Sequence, residues 1–525
     1  MPDRLKQHYV ELKKEYLQRG LLFEDECFPA CPASLGCKLD KVEVKWKRPQ
    51  EICDFPQFIC QGMSHIDILQ GKLGNCGFIA AVASLSLYPE LMARIVPTGQ
   101  SFQQDYAGIF HFQFWQSGNW VDVVIDDRLP VKDGKLHFMH SAQQNEFWTA
   151  LLEKAYAKLN GSYSALIQLP MSKAFVDFTG GIVENINPKA PPPDFFGIIQ
   201  RAVQKRSLMG ASIESSSQEI EEKNPEGLVK GHAYSFTGVH EVELGSWKVR
   251  LLRLRNPWGK VEWNGRWSDN SPLWIHLDHT LRAKLHTRAE DGEFWMQMDD
   301  FKKFFDELDI CNLTPSSVQD DQAEKWTRTY YKGAWVKGHN AGGCHNNTET
   351  FWTNPQFQVT LQEKDNDEDS CTLLVSLMQK PQQGRKFHSI GFETYKQAFI
   401  MYDVDKSGTI NTSELRPALE GTGIHLNNSF MEHIVLKYGD RWQQLTFDKF
   451  LSCMSWLERI FLNLGQLGLC EVIRKCKTLD RNNSGVVAVT SQQEICDFPQ
   501  FICQGMSHIN ILQGNLGNAV FLVDY

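Results

Sequence analysis

The sequence predicts an α+β fold, in which helices and strands occupy different stretches of the chain. An apolar helix is predicted to follow Cys76, and a second helix, over 147–159, carries its apolar residues on one face. The strand-like runs 109–115 and 120–126 flank a Ser-Gly-Asn turn, which is typical of a hairpin. Further strand-like runs follow from 207 to about 314. The fold class therefore rests on two helices, a hairpin and a later strand-rich stretch.

Length and composition limit the class of protein. A chain of 525 residues predicts three to four domains, since single cores rarely grow beyond about 250 to 300 residues. The net charge of −9 is mild for this length and gives no reason to expect nucleic acid as a partner. The most apolar window, 78–96, is interrupted by charged residues and a proline, so no transmembrane segment is predicted.

The cysteines and the first residues indicate a compartment. Fourteen cysteines would suit disulfides only in an oxidising environment. Residues 1–20 are charged and helical, without the apolar core of a signal peptide. We expect a reduced, cytoplasmic setting.

Cys76 is the candidate nucleophile. The Gly-rich lead-in 71–74 breaks regular structure and Asn75 suits an N-cap, so Cys76 falls in the first helical turn. Unpaired backbone N–H groups and the positive end of the helix dipole favour a thiolate there. Gln70 and the Cys76 N–H could form a two-donor oxyanion hole. On its own, a cysteine before an apolar helix is more often a small core residue. The catalytic interpretation of Cys76 therefore requires a partner base elsewhere in the chain.

Two later motifs supply the base and a group to orient it. They are KGHAYS around His232 and RNPWG around Asn256, each next to a strand-like run. With TETFWTNP at 348–355, they resemble the calpains, which are calcium-dependent intracellular cysteine proteases with a papain-like Cys-His-Asn triad. The resemblance runs from about Gly20 to Gln379. It implies limited hydrolysis of protein substrates through an acyl-enzyme.

The resemblance also implies roles for individual residues. Cys76 attacks the peptide carbonyl, His232 carries the proton, and Asn256 holds the imidazole tautomer. Gln70 stabilises the oxyanion, and Trp258 shields the Asn–His hydrogen bond from water.

One departure from the family pattern leaves an alternative open. Gly77 stands where calpains and papains usually have Trp, which removes packing against the helix and adds backbone freedom. The truncated regulatory domains point the same way. The alternative is a catalytically weakened or inactive calpain-like calcium-binding protein.

The resemblance implies Ca²⁺ as the cofactor, one ion for each half of the protease core. At least two carboxylates plus carbonyls suit this hard cation, and its binding would rotate the halves into register. The alternative is a set of solvated surface acids. The ligands of the first half are Asp67, Glu146 and the carbonyls of Cys60 and Gly62; those of the second are Glu262, Asp269, Asp291, Glu293 and the Ala289 carbonyl.

An EF-hand motif follows further along the chain. The required side chains stand at loop positions one, three, five, seven, nine and twelve, with Gly408 at position six. A second loop, 480–485, has Ser491 where the bidentate Glu belongs, so it is predicted not to bind. The residues of the first loop are Asp403, Asp405, Ser407, Thr409, Asn411 and Glu414.

The predicted domains follow from these motifs. The calpain-type β-sandwich is expected to be incomplete unless it borrows strands from elsewhere. The segments are 1–40, an N-terminal helix and lead-in; 41–181, the core subdomain with Cys76; 182–322, the subdomain with His232 and Asn256; 323–395, the partial sandwich; 396–493, a partial EF-hand domain; and 494–525, the tail.

The tail contains a near-copy of 51–79. Ala519 replaces Cys76 in this copy, so it cannot be a second active site. We expect it to be an artefact or poorly ordered, and to weaken EF-hand pairing. An EF-hand-mediated dimer, a small regulatory subunit and a monomer all stay open as states of assembly.

Overall fold

The computed structural model divides the chain into two compact units, Met1–Lys325 and Trp326–Tyr525. The predicted loop at 480–485 lies outside the described residues. Those residues are 3–116, 118–215, 222–313, 327–343, 347, 354–361, 373–378, 391–394, 399, 401–421, 424, 426–447, 449–454, 456–457, 506–513 and 517–524.

The first unit contains both helices and sheets, as the sequence predicts. Its helices are α1 (Tyr9–Arg19), α2 (Pro32–Leu35), α3 (Cys76–Leu85), α4 (Pro89–Ile95), α5 (Trp148–Asn160), α6 (Met171–Thr179), α7 (Phe195–Gln204), α8 (His279–Leu285) and α9 (Met298–Phe304). Its strands are β1 (Lys45–Lys47), β2 (Ile68–Leu69), β3 (Ile109–Gln116), β4 (Asn119–Asp126), β5 (Leu129–Lys132), β6 (Lys135–Leu136), β7 (His140–Ser141), β8 (Ile182–Ile186), β9 (Leu208–Ile213), β10 (His232–Leu244), β11 (Trp247–Arg255), β12 (Glu293–Gln297) and β13 (Glu307–Asn312).

The first half of this unit is built around α3. Every residue of α3 after Cys76 is buried, because its side chains are small or apolar all round. Helix α5 packs against the β3–β4 hairpin, and Phe78 of α3 stacks on Tyr156 of α5 with ring centroids 4.6 Å apart. Both α5 and the hairpin lie where the sequence predicts them. This core fixes the helix that begins at Cys76.

The second half is a six-stranded sheet in the order β12-β11-β10-β9-β13-β8, and all of its neighbouring strands are antiparallel. Strand β10 lies inside this sheet and begins at His232, while β11 ends one residue before Asn256. Helix α3 contacts both β9 and β10. The sheet therefore brings the strand that starts with His232 against the helix that starts with Cys76.

The N-terminal segment is fastened to the first half. Arg4 Nε donates to the Lys158 carbonyl at the end of α5 (3.0 Å). The Lys158 ammonium is buried and pairs with Asp25 at 2.7 Å. Tyr9 of α1 stacks on His111 of β3, with 3.7 Å between ring centroids. These contacts anchor the N-terminal segment to the first half.

The described part of the second unit contains two three-stranded antiparallel sheets, ordered β14-β20-β16 and β15-β21-β17. The central strand of each sheet comes from the near-copy tail, so the partial sandwich does borrow strands. These strands are β14 (Thr327–Gly333), β15 (Gln356–Leu361), β16 (Leu373–Met378), β17 (Gly391–Thr394), β20 (Met506–Gln513) and β21 (Gly517–Asp524).

The near-copy and its original adopt different secondary structure. In the original, a helix begins at Cys76, but Ala519 and Val520 stand at the matching positions of β21. The original continues with the small residues Ala80 and Ala81, whereas the copy continues with Val523 and Asp524. A β-branched run favours a strand, and an alanine-rich run favours a helix. The origin of the copy stays a prediction.

The EF-hand region pairs two loops within the second unit. Its elements are β18 (Thr409–Ile410), α10 (Thr412–Gly421), α11 (Asn428–Tyr438) and β19 (Leu445–Thr446). Strands β18 and β19 are antiparallel, with Ile410 opposite Leu445. The loop that carries β19 was not singled out from the sequence. No helix in the described parts of either unit is both long and apolar enough to cross a membrane.

Candidate active site

Cys76 lies where the sequence predicts it, at the first position of α3. It is partly exposed, while the residues after it in the helix are buried. The Asn75 carbonyl accepts the first helical hydrogen bond, from Ile79 N–H at 3.1 Å. The thiol therefore sits at the positive end of the helix dipole, with a way to solvent.

Asn75 is the N-cap residue, but it does not cap the helix with its side chain. Its Nδ2 instead donates to Glu153 Oε1 at 2.8 Å. The expected capping hydrogen bond is thus absent at this residue, because a buried carboxyl group competes for the amide.

His232 and Asn256 form the second part of the site. His232 Nε2 lies 2.8 Å from Asn256 Oδ1, and both side chains are almost fully buried. Asn256 Oδ1 also accepts from Trp258 N–H at 3.0 Å, while Asn256 Nδ2 donates to the Val261 carbonyl at 2.9 Å. These bonds fix the amide, so its oxygen faces the imidazole. Nε2 must then donate, since the oxygen only accepts.

This arrangement leaves Nδ1 of His232 as the basic nitrogen. Nδ1 is buried and has no hydrogen-bond partner among the described residues. Burial lowers the pKa of His232 to about 4, although the hydrogen bond that His232 donates to Asn256 acts in the opposite direction. The imidazole is neutral at physiological pH and can accept a proton at Nδ1.

Trp258 and Gln70 lie close to the pair. The Trp258 ring lies against the His232 ring, with centroids 4.7 Å apart at 48°. Gln70 N–H donates to the Pro257 carbonyl at 3.1 Å, which ties the segment before Cys76 to the loop that carries Asn256. The predicted oxyanion residue therefore lies where the two halves meet.

Arg255 is a residue that sequence reasoning missed. Its guanidinium is fully buried and donates to the carbonyls of Ile66 and Ile68, each at 3.2 Å. It thus joins the strand before Asn256 to the first half. The available signal in the sequence was an arginine at the end of a strand whose other inward side chains are apolar.

Gly77 is a second departure from expectation. A Cβ at this position would lie 2.4 Å from the Leu169 carbonyl oxygen and 3.0 Å from Met171 N. Gln168 N–H donates to the Gly74 carbonyl at 3.0 Å, which holds this segment in place. The main chain therefore fills the space beside Gly77, where the sequence predicts a loss of packing.

The first set of candidate calcium ligands converges. Glu146 is buried and accepts from Cys60 N–H at 2.7 Å and from Ser141 Oγ at 2.6 Å. After burial itself, Glu146 and Asp67 are the charges that raise the pKa of the Cys60 thiol, so both lie close to it. Gly62, at φ 102°, turns the chain immediately after Cys60.

The second set converges in part. Burial raises the pKa of Glu262 to about 7, and the nearby charges of Asp269 and Asp291 add to the effect. Asp269 Oδ2 accepts from Ala289 N–H at 3.1 Å. Concentrated negative charge of this kind suits a divalent cation. The Glu293 carboxylate lies instead beside basic groups, 3.4 Å from Arg253 Nε and 3.5 Å from His65 Nε2.

The EF-hand loop of the second unit has the strongest ligand cluster. Carboxylate oxygens of Asp403, Asp405 and Glu414 lie within 4.8 Å of one another. Gly408, at φ 75°, makes the sharp turn that position six requires. Ser407 and Asn411 are held within the loop by hydrogen bonds to its own residues.

A thiol at a helix N-terminus and a buried imidazole–amide pair on an adjacent sheet define a cysteine protease of the papain-like class. Two family models match the chain, one described as calpain family cysteine protease over 23–312 and one as calpain large subunit, domain III, over 331–427. The chain belongs to the calpain family of cysteine proteases. The predicted α+β fold and family resemblance are confirmed.

Curated relatives support the same assignment. The chain is 52% identical to the calpain-2 catalytic subunit of Homo sapiens over 408 residues, which cover 75% of this chain and 58% of the relative. It is 50% identical to calpain-8 of Rattus norvegicus over 410 residues, with 75% and 58% coverage. The match to the calpain-2 catalytic subunit of Gallus gallus is 48% over 443 residues, with 81% and 61% coverage. The chain thus spans about three-fifths of the length of these relatives.

Proposed function

We propose that this protein is a calcium-dependent cysteine endopeptidase that performs limited proteolysis of proteins. The observation that carries the proposal is the His232–Asn256 hydrogen bond of 2.8 Å, which leaves Nδ1 as the only basic nitrogen of the ring. Helix α3 contacts the strand that begins with His232 and supplies Cys76 from its first turn.

The mechanism follows from these positions. His232 Nδ1 takes the proton of the Cys76 thiol as the sulfur attacks the peptide carbonyl. Gln70 and the Cys76 N–H donate to the oxyanion of the tetrahedral intermediate. The imidazolium then gives its proton to the leaving amine, which produces the acyl-enzyme. Water activated by His232 hydrolyses the thioester and regenerates the thiol.

Asn256 and Trp258 prepare the base. Since Asn256 Oδ1 accepts two hydrogen bonds, it stabilises the imidazolium without becoming protonated. The Trp258 ring lies against the imidazole and excludes water from that hydrogen bond. Bulk water would compete for it and allow the ring to rotate.

Calcium is part of the proposal, and the donor sets described above suit it. Ca²⁺ would supply positive charge and oxygen coordination. In the first half it would be held by Asp67 and Glu146 with the Cys60 and Gly62 carbonyls, and in the second by Glu262, Asp269, Asp291 and Glu293 with the Ala289 carbonyl. The EF-hand loop would hold a further ion. Arg255 and Gln70 join the two halves of the protease core close to Asp67 and Asp291. Calcium that ordered these two acidic segments would therefore stabilise the junction near Cys76.

The packing at Gly77 bears on the alternative of an inactive relative. Main chain of Leu169 and Met171 occupies the space beside Gly77. The helix that carries Cys76 therefore has no packing gap at Gly77 that would favour the inactive alternative.

The test is cleavage of a fluorogenic peptide and of casein by the purified chain, with millimolar calcium or with a chelator. We expect cleavage only with calcium, and none from Cys76→Ala. The Cys76→Ala variant should melt at the wild-type temperature, because this small side chain is partly exposed. Calcium-independent cleavage, or equal cleavage by Cys76→Ala, would overturn the proposal.

We also propose a cytoplasmic location and pairing through the EF-hand region, with a second copy or a small EF-hand subunit. The cysteines in the described part of the chain are thiols, which suits a reducing compartment. Leu436 and Trp442, 81% and 64% exposed, give the region a surface that another chain could cover. Cell fractionation tests the location. Light scattering with and without calcium tests the pairing, and a monomer under both conditions would contradict it.

A further inference from the structure

Glu153 is a buried acid close to the nucleophile that the mechanism above does not use. It lies on α5, its side chain is 1% exposed, and it forms no ion pair with the described basic residues. Its two oxygens have separate partners: Asn75 Nδ2 donates to Oε1 at 2.8 Å and Met139 N–H donates to Oε2 at 3.0 Å. Burying a carboxyl group without a cation is unfavourable, so a role for it needs an explanation.

The partner of Glu153 is the residue that precedes Cys76. An N-cap asparagine normally has an extended backbone and accepts a hydrogen bond from an N–H of the first turn. Asn75 instead has φ −112° and ψ 40° and makes no capping hydrogen bond with its side chain. The amide is directed towards Glu153, so it does not occupy the first-turn N–H groups.

We propose that Glu153 is a positioning residue for the nucleophile. By holding the Asn75 side chain away from α3, it keeps the N–H groups of Gly77 and Phe78, which an N-cap side chain would occupy, available to the Cys76 thiolate. The inference rests on the proposed function, because a thiolate at this position serves catalysis only if Cys76 is the nucleophile.

The hydrogen-bonding capacity of the pair supports this arrangement. Burial raises the pKa of Glu153 to about 8, so the carboxyl group is mainly protonated at neutral pH. Asn75 Oδ1 is buried and has no partner among the described residues in the assigned orientation. A half-turn of the amide, which exchanges its nitrogen and oxygen, lets the Glu153 hydroxyl donate to Oδ1 while Oε2 still accepts from Met139. A neutral acid also adds no negative charge beside the thiolate.

The experiment compares four variants of the full chain: Glu153→Gln, Glu153→Leu, Asn75→Ala and the double variant Asn75→Ala/Glu153→Leu. The principal readout is the rate of Cys76 alkylation by iodoacetamide in calcium, followed on the Cys76 peptide by mass spectrometry. Alkylation reports the thiolate without requiring peptide cleavage. It therefore stays informative if the proposed protease function fails. Values of kcat and KM for the fluorogenic peptide, and melting temperatures, complete the set.

We expect Glu153→Leu to lower the alkylation rate about tenfold, since the released Asn75 amide can then bond to the first-turn N–H groups. The kcat should fall more than KM changes. Glu153→Gln should stay within about threefold of the wild type, because its NH2 can donate to Asn75 while its oxygen accepts from Met139.

The double variant separates positioning from general damage. It carries the same unsatisfied Met139 N–H as Glu153→Leu, but it has no Asn75 amide to release. We expect its alkylation rate to recover to that of Asn75→Ala, a non-additive result that marks coupling between the two side chains.

A double variant as slow as Glu153→Leu, or wild-type alkylation in Glu153→Leu, would overturn the proposal. If Glu153→Leu does not fold, Asn75→Ala decides alone. Retention of the wild-type rate within threefold supports the proposal, and a tenfold loss overturns it, because the Asn75 amide would then itself be required.

Discussion

At the residue scale, close contacts decide what the nucleophile helix tolerates. Gly77 is fixed by the main chain of Leu169 and Met171, and Asn75 by the buried Glu153. Both neighbours lie far along the chain from Cys76. The sequence predicts the position of Cys76 correctly from its local pattern. A local pattern, however, contains no information on which distant segments of the chain pack against the helix. The expected cap at Asn75 and the expected packing loss at Gly77 differ from the structure for that reason.

Gly77 gives the first prediction. Gly→Ala inside a helix usually stabilises by about 1 kcal/mol, but a Cβ here would meet the Leu169 carbonyl at 2.4 Å. We expect Gly77→Ala to lower the melting temperature, since overpacking against fixed main chain costs about 1–3 kcal/mol.

Gly197, in the first turns of α7, provides the control. The three atoms nearest to a Cβ there belong to the exposed carboxylate of Asp194, which can move aside. Gly197→Ala should leave the melting temperature unchanged or raise it. A Gly77→Ala protein that melts no lower than the wild type would show that the segment 168–171 yields.

Glu153 gives a pH prediction. Burial raises its pKa from 4.5 to about 8, so between these values the folded state binds more protons than the unfolded state. Stability contributed by this group is therefore fully present below about pH 4.5 and is lost as pH rises towards 8. In Glu153→Gln the group no longer titrates.

We expect the melting temperature of Glu153→Gln minus that of the wild type to increase from pH 5 to pH 8 and then to level off. Thermal melts across this range, in matched ionic strength, measure the difference. A difference that is constant with pH would mean that Glu153 titrates normally in the folded protein.

At the element scale, the site depends on how a helix and two strands are joined. Strand β10 brings His232 to α3, and β11 ends before Asn256, as the alternation and motifs of the sequence predict. The pairing of β18 with β19 was not predicted, because the second loop has few acidic ligands. The signal for this pairing was the apolar Leu445 between two helical stretches. It can be interpreted only once Ile410 is known to lie opposite.

Arg255 supplies the prediction at this scale. Arg255→Met would leave the carbonyls of Ile66 and Ile68 without these donors, at about 1–3 kcal/mol for each buried group. Since Gln70 follows directly after this segment, we expect lower kcat/KM together with lower stability. Hydrogen exchange should become faster in 66–70.

Arg250→Met is the matched control, since Arg250 lies on the same strand and its side chain is 54% exposed. It should change exchange in 66–70 very little. Replacement of a buried ion by an apolar side chain can also be neutral. Unchanged exchange in Arg255→Met would therefore show that the two halves are joined mainly by other contacts.

At the scale of the whole molecule, the triad and two sets of candidate calcium ligands belong to the first compact unit, whereas the EF-hand loop belongs to the second. The motif of Cys76 lies more than 150 positions before those of His232 and Asn256, yet each motif is recognisable because its signal is local, as is the spacing of the EF-hand loop. The strands that the near-copy tail adds to the partial sandwich were not predicted in place. Near-identity with 51–79 predicted an artefact or a poorly ordered segment, whereas the changed residues after Ala519 favour a strand.

The EF-hand loop provides the last prediction. Glu414 stands at position twelve, where two oxygens from one side chain normally bind the ion, and it converges with Asp403 and Asp405. Glu414→Gln keeps the size and one oxygen, so the loop should fold but bind calcium more weakly. We expect calcium to raise the melting transition of the EF-hand region in the wild type, by about 2.7 kcal/mol of stability at a hundred times Kd. In Glu414→Gln this increase should be mostly lost at the same calcium concentration.

Glu420→Gln, on the same helix but outside the loop, should retain it. Calorimetric titration with calcium distinguishes the variants, and equal binding by Glu414→Gln would show that the ion is held elsewhere.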